Sequence, residues 1–334
     1  MGLDPDTPYQ EIRKVYAERI KKPIPPEVVE RGPCKENIIS GDEVDIFQFP
    51  IPMVHDGDGG RYAGTWAFEV TKDPETDWTN WGVYRVMACD ENHVSCMTLP
   101  GRHVTMHLTK YKAQNKSTPI AVVIGADPIS TAMASFDVAV GENEVDYAGA
   151  LLQEPVELVK CETSDLLVPA HAEIVLEGEM LPNIIVPEGP FGEFTGYRSV
   201  MQFLPLIRID VITHRNDPIF TVSNMGLPLH ESSLRGLARE LKYEQFFKTL
   251  GIPVTAVHIP PEFSEMVIVV GVKTTHGCMA MRVKDAFNAW RPTCLHKIMV
   301  VDEDVDVFNL NEVLHAFATK CHPIRGIKAF EEYV

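Results

Sequence analysis

From about Asp45 to Asp217 the chain is written in short strands. Apolar residues run or alternate over strand lengths in "GTWAFEVTKD" (64–73), "GVYRVMACDENH" (82–93), "IAVVIGA" (120–126), "ELVKCE" (157–162), "AEIVLEGEM" (172–180) and "LIRIDVITHR" (206–215). Gly, Pro and Asp turns separate them. No single strand can bury its own apolar face, so six or more in succession, with few helices between, must pack on one another. That leaves a β-barrel or a sandwich. "DPISTAMASF" (127–136) is the best candidate for a helical insert.

From about residue 218 the rhythm turns α/β. "SSLRGLARELKYEQFFKTLGIP" reads as a helix with Leu234, Leu237, Leu241 and Leu250 roughly on one face, Gly251 past its end and Pro253 beyond. "VTAVHI" and "MVIVVGVK" follow as strands, "CMAMRVKDAFNAW" as a helix, "KIMVVD" as a strand, and Asn309 with Glu312 caps a last helix, "LNEVLHAFATK". At the other end, "TPYQEIRKVYAERIKK" reads as a helix with Thr7 as N-cap, Pro8 at its first position and Gln10 completing a capping box. The Pro-broken stretch "KPIPPEVVERGPC" (22–34) makes that helix an arm. The expected organisation is an N-terminal helical arm and Pro-rich linker over 1–40, a strand-built domain over 41–217 and an α/β domain over 218–334.

Thirty basic against 47 acidic residues give a formal charge of −17, and no Lys/Arg cluster offsets it. A surface of that sign repels phosphate backbones and anionic lipid, so nucleic acid and membrane are poor partners. An anionic small substrate stays open, because local Arg or metal charge decides that. Seven scattered cysteines form no CxxC pair, which argues for reduced thiols in a cytoplasmic compartment. The start, "MGLDPDTPYQEIRK", has neither the basic nor the apolar region of a secretory signal. The longest apolar run, "MVIVVGV" (266–272), is too short to span a bilayer.

"PEGPFGEFTGY" (187–197) sets Glu188 and Glu193 on either side of a Gly-Pro-Phe-Gly turn. Converging on one pocket, two like charges cannot both ionise cheaply, so one acid would hold a proton for delivery. The alternative is a solvated turn with two unrelated acids. In "TNWGVYRV" (79–86), Arg85 alternates with Tyr84 and Val86 across a strand, and on an interior face it needs an anion. "LPGRHVTMHL" (99–108) contributes Arg102, His103 and His107, and Glu157 is an acid amid apolar strand residues, expected buried and paired. Asn80, a His and a Glu brought together would suit Mg²⁺ or Mn²⁺ rather than a soft metal, but spacing alone does not bring them together. "HDGDGGRYAGT" (55–65) lacks the remaining features of a phosphate or calcium loop and reads as a tight turn between strands. "VDEDVDVF" (301–308) reads as a solvated loop, and Trp66 and Trp81 as core.

Together these segments resemble the UbiD family of decarboxylases, which use prenylated FMN. "EGPFGEFTGY" is similar to the family's E-G-P-x-G-[ED] segment and "TNWGVYR" to its Asn-x-x-x-x-Arg segment. "RH" at 102–103 and "VELVKC" resemble its other flavin-site strands, and "LVPAHAEIVLEGEM" (167–180) the strand that leads into the acid pair. Order and approximate spacing agree across residues 34 to 322. The resemblance implies a split β-barrel flavin-binding domain followed by an α/β oligomerisation domain, within the α/β (α+β) class. It implies that Asn80, His103 and Glu157 hold a Mn²⁺ bridging to the flavin phosphate, with K⁺ as a further cation. It makes Arg85, Glu188 and Glu193 the catalytic network, with Glu193 as proton donor. Thr65 and the backbone of Val83, Tyr84 and Arg85 fall where the family contacts the isoalloxazine, with Arg102 beside the ring. Leu227, Leu229 and His230 are the pocket-lining residues it suggests.

The implied activity is reversible, non-oxidative decarboxylation of an aromatic or α,β-unsaturated acid by a homo-oligomer. A flavin prenyltransferase supplies the cofactor. Arg85 would pair with Glu188 and orient the substrate carboxylate, leaving Glu193 for proton transfer. Family members carry a further α/β segment ahead of the arm, and beyond the C-terminus a tail that includes a Lys near the flavin phosphate. The expectation is therefore a short chain whose α/β domain is incomplete. Arg102 stands where ferulic acid decarboxylases carry Gln, as in the ubiquinone-pathway members. Two rivals remain. An ordinary FMN oxidoreductase gives Arg85, Glu188 and Glu193 no role, and a truncated or non-catalytic subunit has no physical reason to keep a costly acid pair.

Overall fold

The computed structural model describes residues 1–226, 232–290 and 297–329. They divide into two compact units, Met1–His230 and Glu231–Val334. Along the first unit run α1 (Tyr9–Arg19), β1 (Glu27–Val28), β2 (Asn37–Ser40), β3 (Tyr62–Gly64), β4 (Ala67–Lys72), β5 (Thr79–Gly82), β6 (Val86–Ala88) and β7 (His93–Cys96). Then come α2 (His103–Ala113), β8 (Thr118–Ile124), α3 (Pro128–Ala134), α4 (Glu144–Leu152), β9 (Glu157–Lys160), β10 (Leu167–Pro169), β11 (Ile174–Glu188) and β12 (Gln202–His214).

Nine of these strands form one sheet in the order β3-β6-β7-β12-β11-β8-β4-β5, with β2 beside β12. All its pairings are antiparallel. Alternate residues such as Ala67, Val86, Val122, Leu176 and Ile207 close on a single apolar core, and the sheet curls around them into a half-barrel. The strand-rich reading of this region is what the structure shows. On the other face of the sheet Trp81 is buried and stacks on Phe68, ring centroids 4.7 Å apart. α3 follows its Asp127 cap within the insert read from sequence.

Four local expectations differ from the structure. The run over 82–93 is not one strand: β5 ends at Gly82 and β6 begins at Val86, so Arg85 sits in a link between them. There the Tyr84 N–H goes to the Glu69 side chain at 3.1 Å instead of to a ladder partner. "RH" at 102–103, likened above to a flavin-site strand, opens a helix instead, with Arg102 before α2 and His103 its first residue. The buried positions of α2 are Val104 and His107, so a His occupies a place where periodicity expects an apolar residue. The N-terminal arm is docked. Tyr16 is buried, Arg19 donates to the Leu151 carbonyl of α4 at 2.6 Å, and β2 is part of the main sheet. α1 starts after Pro8 with no side-chain cap, so the Thr7 box does not form.

β9 leaves the main sheet to pair in parallel with β1 and antiparallel with β10. The second unit holds α5 (Ser232–Thr249), β13 (Val254–His258), β14 (Val267–Val272), α6 (Met279–Trp290), β15 (Lys297–Asp302) and α7 (Leu310–Lys320). Its sheet runs β13-β14-β15, antiparallel then parallel. Phe247, Val257, Ile268 and Val283 fill the core beneath it. Asn309 caps α7 as expected, its side chain accepting the N–H of Asn311 and Glu312.

Candidate active site

β11 delivers Glu188 at its last position, and the chain turns back to β12 through residues 189–201. The turn closes on itself, with Ser199 N–H donating to Phe191 O and Glu193 N–H to Tyr197 O, each at 2.8 Å. Gly189 opens it at φ +83°, a left-handed value that glycine adopts at no steric cost. Glu188 is wholly buried. It accepts from Arg85 Nε at 2.8 Å and Nη2 at 2.7 Å, one on each carboxylate oxygen, and from the Tyr62 hydroxyl at 2.8 Å. Such a bidentate, charge-assisted pair is rigid as well as strong. Arg85 Nη1 donates to Glu193, and Nη2 also reaches Ser199 Oγ at 3.3 Å. The guanidinium lies 5.2 Å from the centre of the Phe191 ring.

The two acids therefore meet on one cation. Repulsion between them is offset by the Arg85 charge. The Glu193 side chain keeps 23% of its surface exposed while that of Glu188 has none, so only Glu193 has room to move a proton. Burial and the Glu188 charge push the Tyr62 phenol well above its usual range, which keeps it a donor. Tyr62 belongs to this site and is not marked in the sequence, because the stretch 55–65 reads as a tight turn whereas its Tyr62–Gly64 forms a strand.

A second cluster forms around β5. His103 is the first residue of α2 and Glu144 the first of α4. His103 Nδ1 stands 3.7 Å from Glu144 Oε1, and the other Glu144 oxygen accepts the Trp81 N–H at 2.9 Å. Burial pushes the Glu144 carboxyl up, opposed by His103 and by that N–H. Asn80, next to Trp81, is buried, and its amide nitrogen has no hydrogen-bond partner. Arg102 precedes α2 and pairs with Asp137 at 2.7 Å. The start of α2 offers the N–H groups and dipole end that suit an anion such as a phosphate.

Glu157 does not join this cluster, contrary to the expectation drawn above. It lies on β9 in the separate three-stranded sheet, exposed, with His171 Nε2 2.7 Å from its carboxylate. Because β9 pairs with β1 instead of the barrel, its apolar neighbours do not bury it. The carboxylate beside His103 is Glu144. A signal for it exists, since Glu144 shares the i, i+4, i+7 stripe of Ala148 and Leu151 and thus stands on the buried face of α4.

Among the other expected residues, Thr65 Oγ accepts the Ser223 N–H at 3.0 Å. The Val83 N–H donates to the Ala134 carbonyl at 3.3 Å. The Tyr84 ring lies across Gly82, where a Cβ would come within 2.4 Å of it. His107 is a structural histidine. Its Nδ1 is 3.0 Å from Thr71 Oγ, and burial pushes its pKa down to about 4. Leu227, Leu229 and His230 lie outside the described residues.

Known proteins resemble nearly the whole length of this chain. The UbiD family's 3-octaprenyl-4-hydroxybenzoate carboxy-lyase Rift-related domain matches residues 27–228, and its C-terminal domain matches 232–334. Pyrrole-2-carboxylic acid decarboxylase of Pseudomonas aeruginosa is 34% identical over 322 residues, covering 93% of this chain and 65% of its own. Ferulic acid decarboxylase 1 of Saccharomyces cerevisiae is 32% identical over 349 residues, covering 99% and 69%. The chain thus spans about two thirds of the length of these relatives. Among solved structures, an evolved dimeric form of the UbiD-class enzyme HmfF from Pelotomaculum thermopropionicum, in complex with prFMN, superposes with a TM-score of 0.88 at 32% identity, covering 98% of this chain and 76% of that one. With both of its units matched, the chain belongs to the UbiD carboxy-lyase family.

Proposed function

We propose that this chain carries out reversible, non-oxidative decarboxylation of an aromatic or α,β-unsaturated carboxylic acid, using prenylated FMN and Mn²⁺. The observation that carries the reading is one guanidinium, Arg85, held bidentate by buried Glu188 while it also meets Glu193. Relatives named for decarboxylating pyrrole-2-carboxylic and ferulic acid support it, as does the neighbour in complex with prFMN.

The second cluster fits a hard divalent cation. A carboxylate, an imidazole and a side-chain amide form a nitrogen–oxygen donor set suited to Mn²⁺. The orphaned amide of Asn80 needs a partner, and turned about its last bond it would present its oxygen. Asn80, His103 and Glu144 would hold the ion, and the N-terminus of α2 would receive the flavin phosphate. Prenylated FMN would supply the electron-accepting ring that the breaking carbon–carboxylate bond requires. Arg85 would bind and orient the substrate carboxylate, with its plane set by Glu188 and Tyr62. Glu193 would give its proton to the carbon that loses CO₂ and take one up in the reverse direction. The cofactor would come from a flavin prenyltransferase, and the second unit would serve assembly of a cytoplasmic homo-oligomer.

Native mass spectrometry with a UV-visible spectrum tests the reading, on protein co-expressed with a flavin prenyltransferase and supplied with Mn²⁺. The expected result is a bound mass of prenylated FMN that is lost in Glu144→Ala and kept in Glu157→Ala, together with CO₂ release from a panel of aryl and acrylic acids. Plain FMN with NAD(P)H oxidation would turn the assignment towards a reductase. No flavin would end it for this chain.

A further inference from the structure

The segment "HDGDGG" (55–60), which reads from sequence as an ordinary turn, is the surface on which the acid-bearing turn is moulded. The Asp58 side chain is wholly buried and each oxygen is used: Oδ2 accepts the His55 N–H and Oδ1 the Gly192 N–H, both at 2.9 Å. Gly59 N–H donates to the Pro190 carbonyl at 2.7 Å. A Cβ on Gly59 would stand 2.0 Å from the Gly189 carbonyl oxygen, so only glycine lets these two backbones close. The Asp56 carbonyl accepts from Arg198. The His55 ring lies edge-on to Phe191 at 5.8 Å, and its Nε2 is 2.5 Å from the Met225 carbonyl, an acceptor, so that nitrogen carries the proton. Contacts from one short loop thus bracket Glu193 on both sides.

We propose that Asp58 is a positioning residue for the proton-delivering acid, fixing where Glu193 stands relative to Arg85. This rests on the reading of the site given above. Glu188 has its own supports, a place in the β11–β12 ladder and the donors Arg85 and Tyr62. Glu193 stands at the tip, next to Gly192, whose backbone is tied down by the buried Asp58 carboxylate. A charge-assisted bond to that N–H sets the height of the tip above the guanidinium. Without it the tip retains its internal bonds and loses this tie to the barrel. Glu193 then drifts while Glu188 stays.

The test uses the full chain loaded with prenylated FMN and Mn²⁺, as wild type, Asp58→Ala and Asp58→Asn. Hydrogen–deuterium exchange is read on peptides covering 191–199 and, as internal control, on the strand 174–187. Flavin occupancy, kcat and KM are measured on the same samples. In Asp58→Ala, exchange should quicken in the turn and not in the strand, with flavin occupancy unchanged. The same variant should lose about 100-fold in kcat, the cost of a misplacement near 1 Å, while KM stays within about twofold. Asp58→Asn, whose amide oxygen can still accept one N–H, should recover part of both, and it carries the test if the alanine variant does not fold. Unchanged exchange in the turn would overturn the proposal whatever happens to activity. A fall in kcat that merely tracks flavin occupancy would overturn it too, because that marks a structural role. If wild type is flavin-loaded and decarboxylates nothing, the activity reading falls, and the exchange comparison still decides whether Asp58 holds the tip.

Discussion

Glu188 and Glu69 are both wholly buried in the same half-barrel, and they are opposite kinds of acid. Glu188 is surrounded by donors: two guanidinium nitrogens and a phenol, with a full positive charge in contact. Glu69, on β4, receives one backbone N–H, from Tyr84, and its other oxygen has no hydrogen-bond partner. Burial pushes its carboxyl well above the usual range, so it holds its proton to higher pH. Depth is the same; what differs is the set of donors each carboxylate meets. At Glu188 the barrel supplies a cation and a phenol. At Glu69 it accepts a cost to fasten the link between β5 and β6, the link that carries Arg85.

Four experiments would break or sharpen that contrast. Glu193→Gln should lower kcat by about 10²- to 10⁴-fold, the usual worth of a positioned acid. It should leave flavin occupancy and Tm nearly unchanged, because Glu193 is the exposed member of the network. Arg85→Met should cost about 3–5 kcal/mol in urea unfolding by leaving Glu188 buried with no cation. Arg85→Met with Glu188→Met should recover most of that loss while remaining inactive; failure to recover would mean that the loss does not come from the unpaired Glu188. Glu144→Ala should weaken Mn²⁺ binding in isothermal titration by at least ~100-fold, more than loss of an outer-shell partner brings. Glu157→Ala should change binding and stability by no more than about 0.5 kcal/mol, as an exposed surface substitution does.

The other side of the contrast is tested by Glu69→Gln. Because the folded pKa of Glu69 is raised, the folded state binds more protons than the unfolded chain once pH passes the unfolded value. Stability attributable to this group is then complete below that pH and is lost as pH rises towards the folded pKa. The amide has no such loss. Tm of the variant should exceed wild type by about 2–4 °C at pH 8 and by less at pH 5 in a thermal melt. An equal shift at both values would mean that Glu69 is not the neutral acid described.

Much of the site could be read along the chain because its residues sit at fixed steps in unusual company. Arg85 stands out in a run of apolar residues, and Glu188 and Glu193 flank a Gly-Pro turn, so they can be singled out before any folding is known. The carboxylate beside His103 escapes a sequence reading for the opposite reason. Glu157 sits among apolar residues as a buried strand residue would, and Glu144 opens a short helix whose stripe it shares. The stripe shared with Ala148 and Leu151 marks Glu144 as buried, but nothing local says that the burial is beside His103. The loop at 55–60 was passed over because its hydrogen bonds go to Pro190 and Gly192, more than a hundred positions away.

The sequence by itself determined the order of strand-built and α/β units, the helical insert at 127–136, the cap at Asn309, and the residue types that meet at Arg85. These follow from local periodicity, from side chains that satisfy neighbouring N–H groups, and from charge. Only the tertiary structure decided which glutamate stands beside His103, which buried acid is given a cation, and what holds Glu193 in place. Each depends on where β9, α4 and the 55–60 loop dock. Docking is set by the packing of faces distant in sequence, a quantity that no short window of residues contains.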